Sequence, residues 1–538
     1  MRVAVIEPEN NDLLVKSLNY MLDSGNYMNE IQNNTQRIAK NTIVLYIRQI
    51  FILVISLYTV RITLNILGAT DYGIYNVVGG VVVLFSFINS AMASSTQRFL
   101  NFYLGKKDSI NTNRAYSSSI IIHFGISILF ILLAETLGLW YVHNKLNIPS
   151  DRKLVAEIVY QISVFTAILN IMKVPYNAVI IAYEKMSFFA WVSIFESVAK
   201  LSLIIVIKYL EYDRLIEYAF FMAFIAFVIL ITYKVFCNIK FEIARFKFHK
   251  NYELTKELIV FSGWSLFGGV ANVCNTQGVN LVLNMFTNVV VNAAMGIANQ
   301  VNNAIYSFVT NFQTAFNPQL IKSYSSGDND YFLLLLKRSA KFSFLLYYFI
   351  FLPFFVNADR VLLFWLKDVP EYSSSFVKLI LIWSLIDVFN NPLYTAIQAT
   401  GKIRTYNIMV SVFKLLPLPL IIVLFMNGFS PNWIFYSEII FSIVIDIWRL
   451  VYASKKLNFG CISFFKDIVC RCIFIIVLSL PLTLLINKCT NGMQELTRFL
   501  LVCVFSVILN MILYITVGLN KDEIISIREY IKKHFKRG

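Results

Sequence analysis

Residues 42–66, TIVLYIRQIFILVISLYTVRITLNI, form an apolar stretch whose only charged side chains are Arg48 and Arg61. The turn LGATDYG (67–73) follows, and a second apolar segment leads into QRFLNFYLGKKD (97–108). A stretch of about 20 apolar residues crosses a bilayer as a helix, so this order predicts a hairpin of two membrane-spanning helices. Arginine inside an apolar span is costly and requires a partner or an aqueous surface.

The composition extends this interpretation to the whole chain. Hydrophobic residues make up 58% and charged residues 14% of the 538 positions, whereas soluble domains carry about 25% charged residues. Segments like the first two recur, which predicts an all-α polytopic membrane protein with about 14 transmembrane helices. The net charge of +16 does not indicate nucleic-acid binding, because the basic residues cluster in alternate loops.

That alternation predicts the orientation of the chain. Loops 67–73, 284–288 and 428–431 contain no Lys or Arg, and loop 141–154, with three basic residues, is the exception. The positive-inside rule then places both termini in the cytoplasm. A basic amphipathic tail follows the last span, and Met28 is a second candidate for the start of translation.

An internal repeat divides the spans into two sets. SSTQRFLNFY (94–103) aligns with AFNPQLIKSY (315–324) at an offset of 221, and each leads to a Gly and then an Asp. VSIFE (192–196) aligns with VSVFK (410–414) at 218. A repeat unit of six spans predicts two bundles in the same orientation, related by a pseudo-two-fold axis along the membrane normal. Such bundles bind substrate between them and rock against each other.

The predicted boundaries follow from the spans and the repeat. They are a cytoplasmic tail (1–41), a six-helix bundle (42–237), a basic linker (238–256), a second six-helix bundle (257–454), two additional helices (455–519) and a basic amphipathic tail (520–538).

Three motifs resemble one known family. SLYTVR (56–61) with LGATDYGIYN (67–76), QRFLN (97–101) and GIANQV (296–301) are similar to the O-antigen and capsular polysaccharide flippases of the multidrug/oligosaccharidyl-lipid/polysaccharide exporter (MOP) superfamily. The resemblance covers nearly everything after residue 35. Drug-exporting relatives carry an acidic residue in the first helix, where this chain has two arginines.

The resemblance implies a function and its partners. The cargo would be a polyprenyl-diphosphate-linked oligosaccharide, moved across the bacterial inner membrane by alternating access for O-antigen, lipopolysaccharide, capsule or exopolysaccharide synthesis. Membrane lipids, and a polymerase and glycosyltransferases of the same pathway, would be its partners. It implies no cofactor, and coupling to a proton or sodium gradient remains open.

An anionic headgroup needs a cationic cavity, because Arg and Lys bind phosphate oxygens. The candidates for lining that cavity are Arg48, Arg61, Lys173, Lys200 and Lys414. Lys200 has an alternative structural interpretation, because Glu196 lies one helical turn earlier. Arg48 and Arg61 could instead extend to the membrane surface.

Acidic residues at membrane depth are candidates for ion coupling. They are Asp387, Glu196, Glu438 and Asp446. Asp387 ranks first because no basic residue lies near it on its own helix, whereas Asp446 has Arg449 three residues on. His123 is a further titratable residue, although a lone histidine on a helix is usually structural.

Two other functions remain as alternatives. Export of drugs or other small molecules belongs to the same superfamily. A membrane-embedded polysaccharide polymerase or glycosyltransferase would need a catalytic motif or a large outward loop, and the sequence shows no phosphate loop, HExxH or GxSxG motif. The Cys spacing does not indicate a metal site, so neither a catalytic residue nor a metal ligand is predicted.

Overall fold

A computed structural model describes residues 34, 36–56, 58–59, 61–63, 65–68, 71–72, 74–75, 78, 86–145, 148–210, 212–248, 252–287, 289–366, 368–520 and 523–525. Every regular element in these ranges is a helix. The predicted N-terminal tail before residue 34 and the predicted amphipathic tail after residue 525 lie outside the described residues.

We group the helices into two lobes. The N lobe contains α1 (Gln36–Gly68), α2 (Ser86–Gly105), α3 (Ser109–Asn144), α4 (Ser150–Ala182), α5 (Met186–Ile207) and α6 (Arg214–Lys240). The C lobe contains α7 (Tyr252–Phe286), α8 (Val289–Ser325), α9 (Asn329–Val356), the short α10 (Ala358–Leu366), α11 (Ser373–Ala399), α12 (Arg404–Met426) and α13 (Trp433–Leu457). Helices α14 (Cys461–Cys489) and α15 (Glu495–Gly518) complete the described part.

Among the described residues, 11 of these helices are long and apolar enough to cross a membrane. Helices α2, α8 and α13 are not among them, and α13 carries Glu438, Asp446 and Arg449 within its apolar stretch. The count of fourteen spans therefore stays a prediction. The additional helices pack on the C lobe, where Tyr348 Oη of α9 lies 2.6 Å from Ser479 Oγ of α14, and Tyr514 Oη of α15 donates to the carbonyl oxygen of Leu345 at 2.7 Å.

The internal repeat has a direct structural counterpart. Asp108 caps the start of α3 by accepting a hydrogen bond from the N–H of Asn111 at 2.9 Å, and Asp328 caps α9 in the same way from Tyr331 at 3.0 Å. The hydrogen bond from Asn111 lowers the pKa of Asp108, because it stabilises the carboxylate. Both aspartates are the repeat-matched residues of the sequence, so the two copies use the same capping device.

The lobes meet at one end of the molecule. We call this the basic end, because Arg98, Lys106 and Lys322 lie there. One buried core joins the C lobe to the part of the N lobe near that end, including Phe99, Tyr116 and Val179. A separate core, which includes Phe130 and Tyr160, contains only N-lobe residues from the opposite end. The described residues therefore pack into a V that is closed at the basic end.

The two repeat-related helices α2 and α8 cross closely at this closed end. A Cβ on Gly105 of α2 would lie 2.6 Å from the carbonyl oxygen of Lys322 and 2.8 Å from its Cα. Only glycine permits this approach of two backbones.

At the opposite end, Arg152 joins three parts of the N lobe. Its Nε donates to Asp71 Oδ1 at 2.9 Å, and its other guanidinium nitrogens contact Asp71 and Asp213. Asp213 also caps α6 by accepting from the N–H of Leu215. Asp71 is therefore held by an ion pair, and this pairing explains why a basic residue occurs in the exceptional loop 141–154.

We expect Arg152→Ala to lower the free energy of unfolding by about 1–3 kcal/mol, because it leaves two partly buried carboxylates without their partner. Thermal unfolding of the purified protein measures the effect. The exposed neighbour Lys153 provides the control, and Lys153→Ala should change stability by less than about 0.5 kcal/mol. Equal effects of the two variants would contradict a role for the ion pair.

Candidate functional site

Two helices of the C lobe are interrupted beside charged residues. Helix α11 has a turn at Val388 and Phe389, directly after Asp387. Helix α12 is interrupted at Leu416, two residues after Lys414, where Pro417 begins the next helical segment. Proline cannot donate the backbone hydrogen bond that would continue the helix. Interrupted helices at membrane depth line cavities or protein interfaces, so these breaks indicate a site.

Arg449 of α13 forms the centre of the charged group in the C lobe. Its side chain is 2% exposed, and its Nη1 lies 2.6 Å from Asp446 Oδ1 and 3.4 Å from Asp387 Oδ1. The pairing of Asp446 with Arg449 agrees with their helical spacing. Asp387, which has no basic neighbour on its own helix, receives this partner from another helix.

The polar amides of α7 complete this group. Asn272 Oδ1 accepts a hydrogen bond from Lys414 Nζ at 3.0 Å, and Asn275 Nδ2 donates to Glu438 Oε1 at 2.9 Å. The amide side chains at these positions therefore contact other helices, as expected for polar groups at membrane depth. We call Asp387, Lys414, Glu438, Asp446 and Arg449 the C-lobe charge group.

A cavity of about 430 Å³ opens onto this group. Lys414, Arg449 and Asn272 line it together with Ser94 of α2, so it lies where the two lobes meet. The stacked rings of Tyr394 and Tyr406, with centroids 5.3 Å apart, form an aromatic wall. The cavity thus offers charges, amides and flat apolar surfaces within one space.

The N lobe contains a second charge group, consisting of Lys173, Glu196 and Lys200, and Tyr233 interacts electrostatically both with Glu196 of this group and with Arg48 of α1. Lys200 Nζ donates to Glu196 Oε1 at 2.7 Å, so the structural pairing expected from their spacing is present. Lys173 of α4 lies within electrostatic range of both residues. Two basic residues thus accompany one acidic residue in this group.

Arg48 of α1 lies at the boundary between the lobes. Its guanidinium stacks over Phe189 with 4.6 Å to the ring centroid, and its Nη2 lies 3.4 Å from Asn311 Oδ1 of α8. Its Nε is buried and has no hydrogen-bond partner among the described residues. Because the described part of α1 extends back to Gln36, Arg48 lies at least about three turns inside the helix, deeper than a helix that starts at Thr42 would place it.

Two other predicted residues lie elsewhere. Arg61 is exposed, and the described residues offer it no ion pair. His123 is fully buried, and its Nδ1 lies 2.7 Å from the carbonyl oxygen of Ser119, which is a structural contact. Within the described ranges, no group of three or more His, Cys, Asp or Glu side chains is placed to hold a metal ion.

Glu184 links the lobes at the basic end. Its carboxylate is 2% exposed and lies 2.8 Å from Lys322 Nζ of α8 and 2.8 Å from Arg37 Nε of α1. Gln319 of α8 donates to it at 2.7 Å. We call these four residues the Glu184 latch. No sequence motif indicated this cluster, because Glu184 lies between α4 and α5 and pairs with Lys322, a residue far along the chain.

Comparisons with known proteins agree with this architecture. The family model described as polysaccharide biosynthesis protein matches residues 38–323, and the MatE model matches residues 270–423. No curated protein matches the sequence significantly.

Several solved structures share the fold. An outward-facing multidrug resistance MATE family transporter of the MOP superfamily superposes with a TM-score of 0.68 at 12% identity, covering 78% of this chain and 96% of that chain. A MOP superfamily transporter from Pyrococcus furiosus, whose binding pocket is described as having reverse polarity, gives 0.66 at 11%, with 79% and 96% covered. A Vibrio cholerae MATE transporter gives 0.66 at 13%, with 80% and 98% covered.

Proposed function

Because the chain belongs to the polysaccharide biosynthesis protein family and has the fold of MATE transporters, we propose that it flips a polyprenyl-diphosphate-linked oligosaccharide across the bacterial inner membrane. Family membership confirms the resemblance seen in the three sequence motifs. The all-helical polytopic fold predicted from composition is confirmed as well. Family membership and fold do not identify the cargo, and the lipid-linked oligosaccharide is our proposal.

The N-lobe charge group is the observation that carries this proposal. Two basic residues, Lys173 and Lys200, accompany the acidic Glu196. Arg48 adds a third positive charge nearby, because Tyr233 interacts electrostatically with both Arg48 and Glu196. A diphosphate carries negative charge and forms its strongest hydrogen bonds with Arg and Lys. The Nε of Arg48 is buried and has no acceptor among the described residues. It can therefore donate a hydrogen bond to a diphosphate.

The cavity of the C lobe suits the other part of the cargo. Sugars present hydroxyl groups and apolar ring faces, and this cavity presents Asn272, Asn407, Tyr394 and Tyr406. We therefore assign the diphosphate to the N lobe and the oligosaccharide to the C lobe. With the basic end in the cytoplasm, the V-shaped arrangement is outward-open, ready to release cargo to the outer leaflet.

We expect Arg48→Gln to slow translocation by about 10- to 100-fold, because a charge-assisted hydrogen bond contributes about 1.5–3 kcal/mol. Flipping of a fluorescent polyprenyl-diphosphate oligosaccharide in proteoliposomes measures the rate. Lys208, an exposed residue at the end of α5, provides the control, and Lys208→Gln should behave as wild type. Unchanged flipping by Arg48→Gln, Lys173→Gln, Lys200→Gln and Lys414→Gln alike would exclude a cationic cavity.

The C-lobe charge group would be the site that couples transport to an ion gradient. Three carboxylates, Asp387, Glu438 and Asp446, accompany two basic residues, Lys414 and Arg449. The excess carboxylate gives a proton or a sodium ion a place to bind, and its occupancy would change the pairing of Arg449. In the cell, we place the protein beside the glycosyltransferases and the polymerase that make and consume its lipid-linked cargo.

A cationic small-molecule exporter is the second candidate. The MatE match over residues 270–423 favours it, as does the acidic excess of the C-lobe charge group. The two functions separate experimentally in a deletion strain. Loss of surface polysaccharide, with lipid-linked units accumulating on the cytoplasmic leaflet, supports the flippase. Normal surface glycan with altered resistance to cationic drugs supports the exporter.

A further inference from the structure

A second cavity, of about 970 Å³, lies at the basic end between the two lobes. We call it the seam cavity. Its basic lining residues come from both lobes, and they are Arg98, Lys256, Lys402, Arg404 and Lys456. Glu253 and Glu257 are its only acidic lining residues within the described ranges. The basic excess indicates a site for an anion that is separate from the cavity beside Lys414.

Arg98 is a buried residue that lines this cavity. The residue is 6% exposed, and its Nε and Nη2 donate to the carbonyl oxygens of Gln398 and Ala399 at 3.1 and 3.2 Å. Gly401, at φ +76°, permits this approach, because a Cβ there would lie 2.7 Å from Nη2. Among the described residues, no acceptor is placed for the remaining nitrogen, Nη1. Nη1 can therefore donate a hydrogen bond to an anion in the cavity.

The start of α12 provides a second anion-binding feature. The helix begins at Arg404, and the preceding Ile403 makes no side-chain capping hydrogen bond. Lys402, Arg404 and Thr405 all line the cavity. The first N–H groups of a helix and the positive end of its dipole attract phosphate. They reinforce the basic side chains here rather than acting alone.

The walls of the cavity indicate a guest that is partly apolar. Phe261, Trp264 and Tyr452 line it beside the charges, and the guanidinium of Arg404 lies over the Trp264 ring, 5.0 Å from its centroid. Phe261 is already buried, but a free phosphate ion would leave the exposed Val260 and the accessible parts of Trp264 and Tyr452 uncovered. The headgroup and glycerol backbone of a lipid would cover both kinds of surface.

We propose that the seam cavity binds the phosphate headgroup of an anionic lipid from the leaflet at the basic end. Arg98 and Phe99 belong to the N lobe and the other lining residues to the C lobe, so the bound lipid bridges the lobes. The lipid thereby stabilises the arrangement in which the basic end is closed. This site is independent of the proposed cargo, because it needs neither a polyprenyl chain nor a sugar.

Lipid retention tests the proposal. The full-length protein is reconstituted in nanodiscs of phosphatidylcholine with a minority of phosphatidylglycerol. The protein is then released from the nanodiscs, and native mass spectrometry identifies the lipids that stay bound to it. Wild type should retain phosphatidylglycerol in preference to phosphatidylcholine. The variant Lys402→Gln/Arg404→Gln, at two exposed positions, should weaken this retention at least about tenfold, the equivalent of one charge-assisted contact.

The control and a soluble probe make the result decisive. Lys240 and Lys455 are exposed at the same end and do not line the cavity, so Lys240→Gln/Lys455→Gln should retain lipid as wild type does. Equal retention by the Lys402→Gln/Arg404→Gln variant would overturn the site. Binding of soluble glycerol 3-phosphate that depends on Lys402 and Arg404, without retention of phosphatidylglycerol, would overturn the lipid and leave a free phosphate compound as the guest. These measurements do not involve flipping, so a negative result would exclude the lipid site without contradicting the proposed function.

Discussion

Arg449→Met is expected to abolish transport and to lower the free energy of unfolding by about 3–5 kcal/mol. The Arg449 side chain is 2% exposed and is paired with both Asp446 and Asp387. Methionine preserves the apolar stem, so the main loss is the positive charge. Removing one member of a buried charge group is costly, because the remaining carboxylates stay buried without compensation. Thermal unfolding and proteoliposome flipping, measured on the same preparation, report the two effects.

Two further variants separate this mechanism from a general effect of charge removal. Lys378→Met breaks the ion pair with Asp359, whose side chain is 60% exposed, and should cost less than about 1 kcal/mol. Arg449→Met/Asp446→Asn removes one of the stranded charges and should recover part of the lost stability. If Arg449→Met unfolds like wild type, or if the double variant is less stable than the single one, the buried charge group is not the cause.

Glu184→Gln is expected to open the basic end. The Glu184 carboxylate is almost fully buried and contacts Lys322, Gln319 and Arg37, so its charge connects α8 of the C lobe to the N lobe. Breaking such a buried pair costs about 2–5 kcal/mol in the state that contains it. A difference of 1.4 kcal/mol already changes a population ratio tenfold. The population in which the basic end is open should therefore rise by at least about tenfold.

A distance across the basic end measures this shift. Labels attached through non-canonical amino acids at positions 240 and 455 report the separation of α6 and α13, and the Glu184→Gln variant should populate a longer distance. Glu242 provides a matched control, because it is an exposed acidic residue at the same end of the N lobe. Glu242→Gln should keep the wild-type distribution. A folded Glu184→Gln protein with an unchanged distribution would show that the latch does not hold the lobes together.

Much of the fold was predictable because it depends on local pattern. Apolar runs of bilayer length predicted the helices, and the repeat predicted two equivalent bundles, whose third helices are indeed both capped by aspartate, Asp108 and Asp328. Spacing along a helix also predicted the pairs that one helix can form alone, Glu196 with Lys200 and Asp446 with Arg449.

The charged site was only partly predictable for the same reason. Sequence spacing offers Asp387 no partner, because Arg449 lies on α13 and approaches it only after the helices pack. The sequence places Arg48 near a helix end, because the polar residues before Thr42 conceal the extension of α1 back to Gln36. Arg98 and Glu184 did not stand out among the predicted cavity residues, since one contacts carbonyl oxygens some 300 positions later and the other lies between two helices.

By itself, then, the sequence determined the helices, their duplication and the family, since hydrophobic length and local motifs are properties of neighbouring residues. The tertiary structure decided which charges meet, which end of the V is closed and where basic residues of both lobes line a common cavity. These features depend on contacts between residues far apart in the chain, and helix crossing, rather than residue spacing, places them together. The hairpin that begins at Thr42 illustrates the difference between local pattern and long-range contact. Its apolar length is evident from the sequence, but the contact of Arg48 with Asn311 is visible only in the folded structure.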